Sequence, residues 1–72
     1  MWAVMKKMSK YQEVVEDIIR KIETNEYTDK LPTEDQLIEQ YQVSRNTIRN
    51  AIRTLKKQGT LFSIQGSGVF VR

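Results

Sequence analysis

Cysteine and histidine are both absent from these 72 residues. The first absence excludes disulfides and thiol chemistry. Together they remove the ligands of a structural zinc site and any histidine-based acid–base pair. Long hydrophobic runs are absent as well, since nothing approaches the roughly 18 apolar residues of a membrane span. The apolar start, Met1 to Met5, is followed rather than preceded by Lys6-Lys7 and lacks an Ala-x-Ala-like cleavage site. It does not read as a signal peptide, and a cytoplasmic protein is expected. A chain this short has room for one modest core, burying roughly 60% of the surface it exposes when unfolded. With no paired-carboxylate motif and no phosphate loop either, an enzyme is the least supported function, and no catalytic residue, cofactor or metal is expected.

Acidic residues are missing from the whole C-terminal part. All nine lie between Glu13 and Glu39. Residues 1–42 hold six Lys/Arg against those nine acids, or −3, while residues 43–72 hold six Lys/Arg and no acid, or +6, which sum to the net +3 of the chain. A basic half with no internal carboxylate suits a polyanion, because neutralised phosphates release their condensed counterions. A merely solvated basic surface has the same composition.

Tyr11, Val14, Val15, Ile18, Ile19 and Ile22 follow a 3-1-3-1-3 spacing that makes one stripe on a helix. Ser9 and Gln12 stand at capping-box spacing at its start, and Thr24-Asn25 with Tyr27-Thr28-Asp29 marks a turn. In Leu31-Pro32-Thr33-Glu34-Asp35-Gln36, Thr33 is a second N-cap, with two acids in the first turn where the helix dipole favours them. That short helix is expected to end near Tyr41. Gln42 and Val43 form a tight connection, Ser44 caps a third helix, and Val43 and Ile48 take hydrophobic-staple positions. Gly59 ends the third helix as a C′ residue. Leu61 to Gln65 and Val69 to Arg72 are β-prone runs around Gly66-Ser67-Gly68, which predicts a hairpin. The expected fold is mainly α with a small β-hairpin: an N-terminal extension at residues 1–8, then a winged helix-turn-helix of three helices and a two-stranded wing at residues 9–72.

On a wheel of 100° per residue, Ile48, Ala51, Ile52 and Leu55 face the core, and Arg45, Asn46, Arg49, Arg53 and Lys56 occupy the opposite arc. Arg45 and Arg49 are one turn apart near the N-terminus, the end that helix-turn-helix proteins insert into the major groove. Arginine there can donate two hydrogen bonds to guanine O6 and N7. Asn46 and Thr47 can reach phosphates or base edges. An arginine pair alone is common on solvated helices; the capped helix before it and the Gly-tipped hairpin after it are what favour DNA. The glycines either serve the turn alone or also let the wing approach a sugar-phosphate backbone, with Gln65 probing the minor groove. Phe62 and Phe70 are expected to complete the core.

These residues resemble the N-terminal DNA-binding domain of the GntR family of bacterial transcriptional regulators. The likeness runs from about Tyr11 to Val71. It rests on Leu31-Pro32-Thr33-Glu34 with Leu37, on Val43-Ser44-Arg45 with Thr47, Arg49, Ala51 and Leu55, on Gly59, and on Gln65-Gly66-x-Gly68-x-Phe70-Val71. The opening and the wing look most like arabinose-type and HutC-type repressors. The resemblance implies base contacts from Arg45 and Arg49, with Glu34 close enough to accept from cytosine N4, or else acting only on the helix dipole. It implies backbone contacts from Lys10, Thr33, Ser44 and Thr47, with Asn46 and Arg53 as further backbone candidates, and it puts Gln65 and Gly66 at the wing tip. Many members carry Arg where this chain has Asp35, so that acid either supports the helix start or goes with a different operator. The resemblance further implies an effector-binding domain beyond Arg72 that dimerises on a palindromic operator and takes a small-molecule effector, so that this domain alone is a monomer off DNA. No membrane partner is expected. A protein-interaction module is opposed by the acid-free C-terminal half, and an RNA-binding role by the lack of an exposed stacking platform.

Overall fold

Helix α1, Lys10–Glu23, starts where Ser9 leaves the extended region: its hydroxyl accepts from the Gln12 amide while the Gln12 side chain accepts from the Ser9 amide. This computed structural model describes residues 9–72; the expected extension, residues 1–8, lies outside the described residues. At the other end Asn25 adopts φ +65°, and its amide and that of Glu26 return to the carbonyls of Ile22 and Lys21. That left-handed closure is the one glycine usually makes.

Helix α2, Glu34–Tyr41, repeats the reciprocal cap with Thr33 and Gln36. It ends at Gln42, whose left-handed backbone (φ +56°, ψ +49°) makes the sharp turn. Helix α3, Arg45–Lys57, follows after Val43 and Ser44, with the Ser44 hydroxyl accepting from the Thr47 amide. Gly59, at φ +80°, closes α3 by donating to Lys56, and the Thr60 amide donates to Leu55.

Six of the nine core residues come from the stripes that the periodicities mark on α1 and α3; Leu31, Leu37 and Leu61 are added by the fold. Val14, Val15 and Ile18 of α1, Leu37 of α2, and Ile48, Ala51 and Leu55 of α3 are buried with Leu31 and Leu61; Ile52, Ile19 and Ile22 pack partly buried against them. No polar or charged residue is buried among the described residues. Helix α3 is the central element, packing on α1, on α2 and on the first strand. The Tyr11 hydroxyl hydrogen-bonds Thr54, tying α1 to α3 as well.

Strands β1, Leu61–Ile64, and β2, Gly68–Val71, pair antiparallel with Leu61 opposite Val71 and Ile64 opposite Gly68. The strands therefore differ from the sequence expectation by one residue at three ends: Gln65 belongs to the turn, Gly68 is the first residue of β2, and Arg72 lies beyond its last. A second difference is a third edge. Lys30 bridges to Phe70, the Leu31 amide donates to Val69 O at 2.9 Å, and the Val71 amide donates to Asp29 O at 2.7 Å. This stitches the approach to α2 onto the wing. Phe62 and Phe70 are corrected too: they stack on each other across the strands, with centroids 5.8 Å apart. Leu61, Val69 and Val71 turn inward, so alternation sends Phe62 and Phe70 to the outer face.

Candidate nucleic-acid interface

The capped start of α2 and the start of α3 bring four charges together. Arg45 donates from one Nη to Glu34 at 2.5 Å and from the other to Asp35 at 2.7 Å; Arg49 donates from Nε to the second oxygen of Glu34 at 2.9 Å. The two arginines therefore differ. Arg49 meets its acid through Nε and, among the described residues, keeps both ends of its guanidinium fork free, whereas both fork ends of Arg45 are engaged. The bonds from Arg49 and then Arg45 hold the Glu34 carboxyl below the ordinary range, and Asp35 foremost, then Glu34, pushes the Arg45 guanidinium up. Two acids and two arginines sum to zero, so the tip of α3 is neutral in the free protein.

Next to this tip a cleft of about 530 Å³ runs between α3 and the wing, lined on one side by Arg49, Ile52, Arg53 and Lys56 and on the other by Ser63, Ser67, Gly68 and Val69. Lys30, Thr33 and Glu34 close its end. Four cations line it against one carboxylate, Glu34. Lys30, Arg53 and Lys56 form no ion pair among the described residues; Lys56 Nζ instead donates to Ser63 Oγ at 2.9 Å, bracing α3 against β1. The Lys30 side chain crosses Gly68 so closely that a Cβ there would lie 2.9 Å from Lys30 Cε. Such a cleft can hold phosphate oxygens between charged and hydroxyl donors.

Of the residues marked in the sequence, Thr33, Glu34, Arg49 and Arg53 share this cleft, and Arg45 joins them through Glu34. Asn46 and Arg45 are exposed in the first turn of α3; Ser44 and Thr47 are joined there, Oγ to Oγ1 at 3.0 Å. Gln65 and Gly66 are exposed at the hairpin tip, where Gly66 has φ +81°. Lys10 is exposed at the start of α1, and no hydrogen bond or ion pair among the described residues joins it to the others. Lys30, just past the expected turn that ends at Asp29, is not marked by the sequence, because its place in the cleft depends on the bridge to Phe70, which has no periodicity.

Residues 10–71 match the family model described as bacterial regulatory proteins, gntR family. The chain belongs to that family. This GntR domain is 40% identical over 68 residues to the arabinose metabolism transcriptional repressor of Geobacillus stearothermophilus, covering 92% of this chain and 19% of that protein. It is 38% identical over 63 residues to the histidine utilization repressor of Klebsiella aerogenes, covering 85% of this chain and 26% of that one. Among solved structures it is similar to the DNA-binding domain of AraR in complex with operator ORE1, with a TM-score of 0.89 and 40% identity over all of this chain and 90% of that one. The architecture is thus a winged helix-turn-helix, and its relatives are transcriptional regulators rather than enzymes. The chain spans about a fifth to a quarter of the length of these two curated relatives.

Proposed function

We propose that this domain binds operator DNA as the recognition module of a bacterial transcriptional repressor, with α3 in the major groove and the wing at the adjacent minor groove. The observation that carries this reading is the continuous face made by the α3 tip and the cation-lined cleft beside it. Arg49, whose fork is free, donates to guanine O6 and N7, and Arg45 does so once released; Glu34, held between them, accepts from cytosine N4. Gln65 reads the minor groove from the tip of the wing. The phosphates that pass between the two grooves enter the cleft, where Arg53 with Lys30 and Lys56 neutralise them and Thr33 donates. Ser44, Asn46, Thr47, Gly66 and Lys10 make the remaining backbone contacts.

The rest of the regulator is a downstream domain that takes a small-molecule effector and dimerises, setting two α3 helices on a palindromic operator about one helical turn apart. Alone, this domain is a monomer off DNA and binds a half-site weakly, because it lacks the effective concentration of a linked partner. It acts in the bacterial cytoplasm. Selection from a pool of random-sequence duplexes tests the reading: it should enrich a short motif, and Arg49→Ala should abolish preference for that motif while the melting temperature stays within a few degrees. Equal affinity of parent and Arg49→Ala for the enriched duplex would contradict it.

A further inference from the structure

The two arginines at the tip of α3 stand in different states, and the difference is made by one residue. Glu34 takes one fork end of Arg45 and the Nε of Arg49, so it leaves Arg49 competent for a two-bond contact. Asp35 takes the other fork end of Arg45, the second nitrogen a guanine contact requires. Asp35 is also exposed, with 79% of its side chain open to solvent, so its charge stands at the surface beside the two arginines. Without Asp35 the tip would carry a net +1; with it the tip is neutral.

Resting on the DNA-binding reading above, we propose that Asp35 is a specificity-determining residue that holds Arg45 off non-specific DNA. A phosphate offers Arg45 an exchange of one anion for another, and at the same time meets the charge of Asp35. A guanine offers both acceptors of a fork contact, and a neighbouring cytosine offers the freed carboxylate a donor. Arg45 is therefore released where the base sequence fits and retained where it does not.

The test is a double-mutant cycle on a random-sequence duplex of about 20 base pairs, with dissociation constants measured across a salt series. Asp35→Asn should tighten binding about fivefold at low salt, the upper range for an exposed ion pair. It should also steepen the salt slope by about one unit as Arg45 takes up a phosphate. In an Arg45→Ala background the same substitution should change affinity by less than about twofold, since only the remote charge remains. Asp35→Ala, which removes the acceptor altogether, should follow Asp35→Asn. Equal tightening in both backgrounds overturns the proposal, because Asp35 would then act as a remote charge. No tightening also overturns it, whether the parent binds weakly or not at all. Binding by the parent, read in the same titrations, separately reports on the DNA-binding reading.

Discussion

Tyr41 and Asp17 form a part-buried polar contact between α2 and α1, away from the interface. The Tyr41 hydroxyl donates to Asp17 at 2.6 Å, and Lys21 lies 3.2 Å from the same carboxylate. Burial opposes ionisation of Asp17, but the bonds from Tyr41 and Lys21 outweigh it and hold the carboxyl below its ordinary range; burial, then Asp17, pushes the Tyr41 phenol up, keeping it a neutral donor. A carboxyl lowered in the folded state stabilises fully above its unfolded value of about 3.9 and loses that stabilisation as pH falls through the folded value. Asp17→Asn should therefore cost about 1–2 kcal/mol at neutral pH and flatten the acid limb of stability against pH, measured by urea denaturation between pH 2 and 7. A second residue-scale expectation concerns Gly68 at φ +127°. Gly68→Ala strains that backbone and displaces Lys30, and should lower thermal stability by about 1–2 kcal/mol on calorimetry. The arginines at Arg45 and Arg49 were legible in the sequence because their spacing puts them on one helix face. Their different partners were not, because pairing with Glu34 and Asp35 depends on the angle between two helices, which no spacing encodes.

Helix starts were the most legible elements, since Ser9, Thr33 and Ser44 each announce a cap within four residues and all three act as one. Chain reversals were read less fully where the usual residue is missing. Gln42 and Asn25 hold left-handed conformations that glycine would mark openly. A non-glycine residue there costs about 1–2 kcal/mol, against about 0.5–1 kcal/mol of extra chain entropy for glycine. Gln42→Gly should thus stabilise by about 0.5–1 kcal/mol and raise the melting temperature by roughly 3–6 °C. A lower melting temperature would mean that the Gln42 Nε2 bond to Glu39 O matters more than the strain. The edge formed by residues 29–31 escaped the sequence because a single-residue bridge has no alternation to detect. The outward turn of Phe62 and Phe70 is readable from register, since they alternate with the inward Leu61, Val69 and Val71, whereas their aromatic character alone points to the core.

At the scale of the whole molecule, the separation of charge along the chain becomes a separation between surfaces. The acids Glu13, Glu16 and Asp17 line a depression with Arg20 and Tyr41, while the cleft between α3 and the wing has Glu34 as its sole carboxylate among the described residues. Lys30, Arg53 and Lys56, which form no ion pair among the described residues, and Lys10 at the start of α1 should each neutralise a phosphate. The logarithm of the association constant for random duplex DNA should then fall against the logarithm of salt with a slope of about −3.6, at roughly 0.9 per phosphate. Lys30→Ala and Lys56→Ala should each lower that slope by about one unit while leaving sequence preference unchanged, as expected of backbone contacts. The most direct test of the central claim is a two-dimensional NMR titration of the isotope-labelled domain with a duplex selected for binding. Perturbations are expected at Thr33 and Glu34, along Arg45 to Arg53 and at Gln65 to Gly68, with the Glu13 to Asp17 surface unmoved; perturbations centred on that acidic surface, with α3 and the wing unchanged, would contradict DNA binding by α3 and the wing.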